Sequence, residues 1–235
     1  MLIHELIQVG GIHVELTTAK KYLLLTERIG KKPMLRTRFT AQAYFVLAAL
    51  FDLVDQGVLE IGDVISIKDD QKFAELPDYL NIFKSELTDE IQQGHDMPTQ
   101  LAIITSWDIA NQIYDGLGTG LFADGLVDKK LVKTNLDTHA IYLPTDAARR
   151  QVRDYLRHQI DGAKVNQDAI SLMLILSELD ALKWVFTDKD ELANLAAAFQ
   201  QKVDGYAFYA KEKALAKVAQ DVITKKKFWY DSWLS

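Results

Sequence analysis

The sequence predicts a mainly α fold: a compact helical domain with central buried helices, peripheral amphipathic helices and one or two small β-hairpins. Three observations carry this. Segments 41–56 (AQAYFVLAALFDLVDQ) and 169–186 (AISLMLILSELDALKWVF) are apolar almost all round, the pattern of helices buried on most faces. Segments around 79–92, 99–122, 146–160, 188–202 and 204–227 carry polar faces and are expected to pack outside those two. Strand signals are confined to short runs. With 49% apolar residues in 235, the chain can bury a substantial core, and its 4 prolines are isolated, so one domain over 1–235 is expected.

In chain order, Gly10-Gly11 suggests a turn, followed by a short strand in IHVELT. Thr17 or Thr18 is placed to cap a first helix over Ala19–Glu27, which stops at Gly30 and Pro33. Thr40 opens the first central helix, and Gly57 closes it in C-cap position. VLEI-GD-VISI (58–67) reads as a hairpin whose two-residue loop, Gly62-Asp63, suits a type II′ turn. Leu126–Leu143 reads as a second hairpin, with a polar turn near Asn135 and Asp137 and alternation at His139, Ile141 and Leu143. Each hairpin follows a helix that ends in glycine, Gly57 or Gly125.

Catalytic chemistry is absent from the pattern. With no cysteine, thiolate catalysis, disulfides and Cys-based metal sites are excluded. His4, His13, His95, His139 and His158 never fall at metal-ligand spacing, so no metal is expected. Gly116, Gly118 and Gly120 in DGLGTGLFADG match neither phosphate-loop pattern, and no strand precedes them; they read as a helix softened for close approach by its neighbours. The acidic runs (Asp69, Asp70, Glu75, Asp78; Glu86, Asp89, Glu90; Asp188, Asp190, Glu191) read as solvated faces or helix N-termini. No enzyme and no cofactor is expected. The N-terminus lacks a basic region and apolar core of the secretory kind, and no apolar run approaches the roughly 20 residues that span a bilayer. A cytoplasmic protein is expected, and a net charge of −6 argues against nucleic acid as partner.

Against that negative total, Arg28, Lys31, Lys32, Arg36 and Arg38 fall in one acid-free loop with Met34 and Leu35 at its tip. Such a loop suits an anionic headgroup, with apolar side chains dipping into the interface. Arg149, Arg153 and Arg157 recur at i, i+4, i+8 and read as a solvated stripe pairing with Asp146, Asp154 and Asp161, with a membrane-facing patch as the other use. In TKKKFWYDSWLS, Lys225–Lys227 adjoin Phe228, Trp229, Tyr230 and Trp233. These aromatics are expected to dock the last helix onto the core; anchoring at a membrane interface is the alternative.

The order of LTTAKKYLLLTERIGKKP, YFVLAALFDLVDQGVLEI, DGLVDKKLVKTNLDTHAIYLPTD and QDAISLMLILSELDALKWVF resembles the Golgi phosphoprotein family, which includes adaptors that bind phosphatidylinositol 4-phosphate and bacterial relatives. The resemblance covers about 16–202, leaving 203–235 as a C-terminal helix with a basic-aromatic tail. It implies a helical fold with a protruding hairpin, here 125–144, that serves self-association and membrane contact. Family adaptors hold the phosphate with a tryptophan in the loop before the second helix, an arginine within that helix and two arginines on the helix before the hairpin. The corresponding positions are Thr37, Val46, Asn111 and Tyr114, none of which carries that chemistry. Lys31, Lys32, Arg36 and Arg38 lie in the matching loop and supply a rearranged anion site. The expectation is a non-enzymatic, peripheral membrane adaptor that binds anionic headgroups, a phosphoinositide among them. The alternative is a soluble protein–protein interaction module that keeps the fold without lipid binding.

Overall fold

The computed structural model describes residues 7–9, 12–14, 16–133 and 138–233, the side chains of 7–9, 12–14, 231 and 233 excepted. The protein is mainly α, as the sequence predicts. Strands β1 (Ile7–Val9) and β2 (Ile12–Val14) form an antiparallel pair ahead of α1 (Thr18–Thr26). A 3₁₀ turn at Leu35–Thr37 leads into α2 (Phe39–Asp55), then the antiparallel pair β3 (Leu59–Ile61) and β4 (Ile65–Ile67). Next come α3 (Asp70–Ala74), α4 (Asn81–Gln92), α5 (Met97–Leu101) and α6 (Trp107–Ala123), which feeds the hairpin β5 (Val127–Lys133) and β6 (Thr138–Pro144). The chain finishes with α7 (Asp146–Asp161), α8 (Gln167–Glu178), α9 (Leu182–Val185), α10 (Lys189–Val203) and α11 (Ala207–Trp233).

The core follows from the two apolar segments. Almost every side chain from Ala41 to Leu53 is buried, and α2 packs against α1, α6, α8 and α11. The second segment divides: α8 ends at Glu178, and the chain turns before α9. Asp180 takes a left-handed conformation (φ +55°), and the Ala181 amide returns to the Leu176 carbonyl in a Schellman closure that usually employs glycine. Aspartate is one of the few residues that tolerates this backbone, so the break carried no glycine signal. Ser106 divides 99–122 by a different device, an N-cap in extended backbone that accepts from the Ile109 amide at the start of α6.

Two boundaries differ from expectation. Thr40 lies inside α2, because the 3₁₀ turn hands directly into the helix and Arg38 supplies the first accepting carbonyl, to the Gln42 amide. The β3–β4 connection has three residues, since Ile61 pairs with Ile65, and the Gly62 amide reaches the Val64 carbonyl. The turns expected at Gly10-Gly11 and near Asn135 and Asp137 lie outside the described residues.

Helix α1 is buried along its length, so its terminal amides and carbonyls need partners from the rest of the fold. At the N-terminus, Asp52 of α2 accepts from the Thr18 amide (2.6 Å) and the Ala19 amide (3.0 Å). At the other end Arg149 donates to the Leu25 carbonyl (3.2 Å) and the Glu27 carbonyl (2.9 Å), and Arg38 donates to the Thr26 carbonyl (2.5 Å). Carboxylate at the amide end and guanidinium at the carbonyl end both match the helix dipole.

Gly116 and Gly118 of α6 act by close contact, whereas a Cβ on Gly120 would meet nothing within 4 Å. A Cβ on Gly116 would stand 2.2 Å from Tyr79 Cβ, and one on Gly118 2.2 Å from Tyr142 Cδ2, so two faces of the helix each admit a tyrosine. Tyr142 thereby seats the β5–β6 hairpin on α6.

Candidate functional site

The basic loop runs from the end of α1 to the start of α2, and its cations divide into two groups. Arg36 and Arg38 turn inward. The Arg36 guanidinium grips Asp115 of α6 with both terminal nitrogens (2.8 and 3.3 Å) and donates to the Ala140 carbonyl of β6 (3.2 Å). It also lies 5.1 Å from the Tyr114 ring centre. Arg38 holds the Thr26 carbonyl and lies 5.7 Å from the Trp184 ring; its Nε and Nη1 are buried without a partner among the described residues. Burial lowers the Arg38 pKa from its ordinary value, with nearby Tyr22, Glu27 and Tyr114 opposing that shift. These two arginines position the loop.

Lys31 and Lys32 turn outward. Both are exposed, and among the described residues neither approaches a carboxylate to salt-bridge distance; the Lys32 ammonium stands 4.6 Å from the Trp184 ring centre. Arg28, also exposed, occupies a left-handed backbone (φ +44°) where the chain leaves α1.

Beneath the loop Glu27 is fully buried. Its Oε2 accepts from the Leu35 amide (3.0 Å) and from the Tyr114 hydroxyl (3.0 Å), while Oε1 has no partner among the described residues. Burial raises its pKa, the hydrogen bonds and the Arg38 charge opposing. The Tyr114 hydroxyl in turn accepts from the Tyr142 amide (3.1 Å). One network therefore joins the loop, α6 and the hairpin.

The four positions that the resemblance aligns with a headgroup pocket hold no cation. Thr37 is exposed and donates to the Met34 carbonyl, Val46 is core, Asn111 is half-buried with Oδ1 unpartnered, and Tyr114 belongs to the network just described. Sequence reasoning missed the network because its members lie up to about a hundred residues apart; Arg36 and Ala140 are separated by 104 positions.

Two further features are tied to the loop. Leu131, 72% exposed, pairs across the ladder with Ala140, whose carbonyl Arg36 holds; Lys129, Lys130 and Lys133 stand exposed beside it. Phe39, the residue after Arg38, meets the Tyr230 ring edge-on at 5.3 Å and the Trp107 ring at 6.2 Å. The end of α11 is thus held at the starts of α2 and α6.

The arginine stripe of α7 does not act as a unit. Arg149 caps α1, whereas Arg157 pairs with Asp154 (2.6 Å) and with Glu191 of α10 (2.5 Å). In the C-terminal tail, Phe228 (73% exposed) and Trp229 (63%) point to solvent, against the expectation of docking; of the described aromatics there, Tyr230 makes the core contact.

A cavity of about 610 Å³ lies elsewhere, between the β3–β4 turn and α11, lined by Ile61, Met97, Leu215 and Val218 with Lys211 and Asp63. It shares no residue with the loop. Among the described residues no helix is long and apolar enough to cross a membrane, and no three His, Asp or Glu side chains are grouped to hold a metal. No protein-family model and no curated protein sequence matches this chain.

Proposed function

We propose that the protein is a non-enzymatic, peripheral membrane adaptor that binds anionic lipid headgroups, a phosphoinositide among them, at the cytoplasmic face of a membrane. The observation that carries this reading is a set of exposed cations with no salt bridge among the described residues, on the loop and on the hairpin that Arg36 ties to it, with one exposed apolar side chain on that hairpin. Lys31 and Lys32 lie on the loop, Lys129, Lys130 and Lys133 on the hairpin, and strand alternation sets Leu131 on the same face as Lys129 and Lys133. Each exposed cation near an anionic surface contributes about 1 kcal/mol, which makes attachment weak singly, additive and salt-sensitive.

The division of the loop sharpens the expectation. Lys31→Ala/Lys32→Ala is expected to lower partitioning onto phosphatidylserine vesicles about thirtyfold, two cations at about 1 kcal/mol each, with unchanged thermal stability. Arg38→Ala, which uncaps α1, is expected to do the reverse, lowering unfolding free energy by about 1–2 kcal/mol and leaving the salt dependence of binding intact. Cosedimentation and urea unfolding read the two effects separately. Wild-type vesicle binding by the double lysine variant would remove the loop from the site.

The soluble interaction module is supported by one specific observation, the pairing of Arg36 with Asp115, which neutralises the cation nearest the family pocket. Under that reading the wild-type protein ignores anionic vesicles altogether.

A further inference from the structure

Helix α11 is longer than the core it lies on. Its buried seam, Tyr209, Glu212, Leu215, Ala216, Ala219 and Ile223, follows helical spacing and continues to Tyr230, which meets Phe39. At about 100° per residue, Phe228 and Trp229 fall on the opposite side of the helix, with Lys225 between them at i+3 and i+4 spacing. Both rings are among the most exposed large apolar groups of the described chain. Lys225, Lys226 and Lys227 are all exposed, and successive steps of about 100° distribute them around the whole girth of the helix. Asp221, one turn earlier on the outer face, is exposed.

A protein groove would be met by one face of a helix. Cations all round the helix, followed at once by two outward rings, instead match the layering of an anionic bilayer: charge at headgroup depth, amphipathic rings at the acyl boundary. We propose that the end of α11 is a bilayer anchor in which Phe228 and Trp229 enter the interface of an anionic membrane and Lys225, Lys226 and Lys227 form a collar on its headgroups. The anchor rests on the lipid-binding reading above and adds to it an apolar, salt-resistant component that the loop lysines do not provide. The Tyr230–Phe39 contact joins this anchor to the first residue after the basic loop.

The test uses full-length protein and vesicles of phosphatidylcholine with and without phosphatidylserine. Phe228→Ser/Trp229→Ser is expected to keep the wild-type melting curve, since both rings are exposed, and to lower partitioning onto the anionic vesicles about tenfold. Because the chain has no cysteine, Trp229→Cys carries a single environment-sensitive fluorophore, whose emission is expected to shift to the blue on anionic vesicles. A wild-type protein that ignores both vesicles overturns the anchor together with the lipid reading. Unchanged partitioning of the serine variant, or aqueous emission from the label on bound vesicles, overturns the anchor alone. A lipid-free change from dimer to monomer in the serine variant would identify a self-association face, and would also overturn it.

Discussion

Asp168→Ala is expected to destabilise the protein by about 3–5 kcal/mol, the cost of leaving a buried ammonium without its counter-ion. Lys21 of α1 is 3% exposed; its ammonium pairs with Asp168 of α8, donates to the Leu16 carbonyl (2.6 Å) and lies 4.5 Å from the Tyr155 ring centre. Tyr155 of α7 donates to the same carboxylate, at 2.7 Å to the nearer oxygen. One carboxylate therefore fastens three helices. With it removed, Lys21 keeps a carbonyl and a ring, which compensate only part of its desolvation. Tyr155→Phe, which removes the hydroxyl that donates to Asp168, is expected to cost about 1 kcal/mol. Lys21→Met/Asp168→Leu, which removes both charges, should cost far less than Asp168→Ala. Urea unfolding checks all three, and a loss below about 1 kcal/mol in Asp168→Ala would contradict the buried-pair account.

The second large effect depends on pH. Glu212 of α11 is 1% exposed, and burial pushes its carboxyl up to about 8, Asp55 and Asp52 adding in the same direction and Ser171 opposing. The geometry fits the neutral form: Ser171 Oγ lies 2.8 and 3.0 Å from the two carboxyl oxygens and 3.0 Å from the Gln167 carbonyl. A protonated Glu212 donates to Ser171, leaving the serine hydroxyl free to donate to Gln167. An ionised Glu212 competes with that carbonyl for the one serine proton. The folded-state pKa lies above the unfolded one, so this stabilisation is fully present below about pH 4.3 and is lost as pH rises towards about 8. Glu212→Gln keeps a neutral donor at every pH. Relative to this variant, wild-type stability should fall between pH 5 and pH 8.5 by an amount of the order of 4 kcal/mol. Burial also pushes Asp52 up to about 6, so the difference between the two proteins, rather than the wild-type curve, isolates Glu212. A pH-independent difference would show that Glu212 stays ionised in the fold.

Local pattern carried much of this fold. The apolar runs around Phe45 and Leu172 defined the two central helices, Thr17 capped α1 where expected, and Gly57 and Gly125 closed helices with the positive φ their positions require. The close packing of α6 was legible because Gly116 and Gly118 remove side chains from two faces of one helix. The rest depended on partners distant in sequence. Nothing near Arg36 indicates Asp115 or Ala140, and nothing near Lys21 indicates Asp168, 147 positions away. A count of loop cations therefore overstates the free charge, since two of the four predicted headgroup residues are spent on internal contacts. The tail was legible in principle: extending the seam from Ala219 and Ile223 by helical phase leaves Phe228 and Trp229 outside.

The central claim is anionic-lipid binding, and cosedimentation of the wild-type protein with neutral and with anionic vesicles, at low and at physiological salt, tests it most directly. The account predicts no binding to phosphatidylcholine, binding once phosphatidylserine or a phosphoinositide is present, and weaker binding as salt rises. Protein that stays in the supernatant with every vesicle at low salt would contradict it and favour the soluble interaction module.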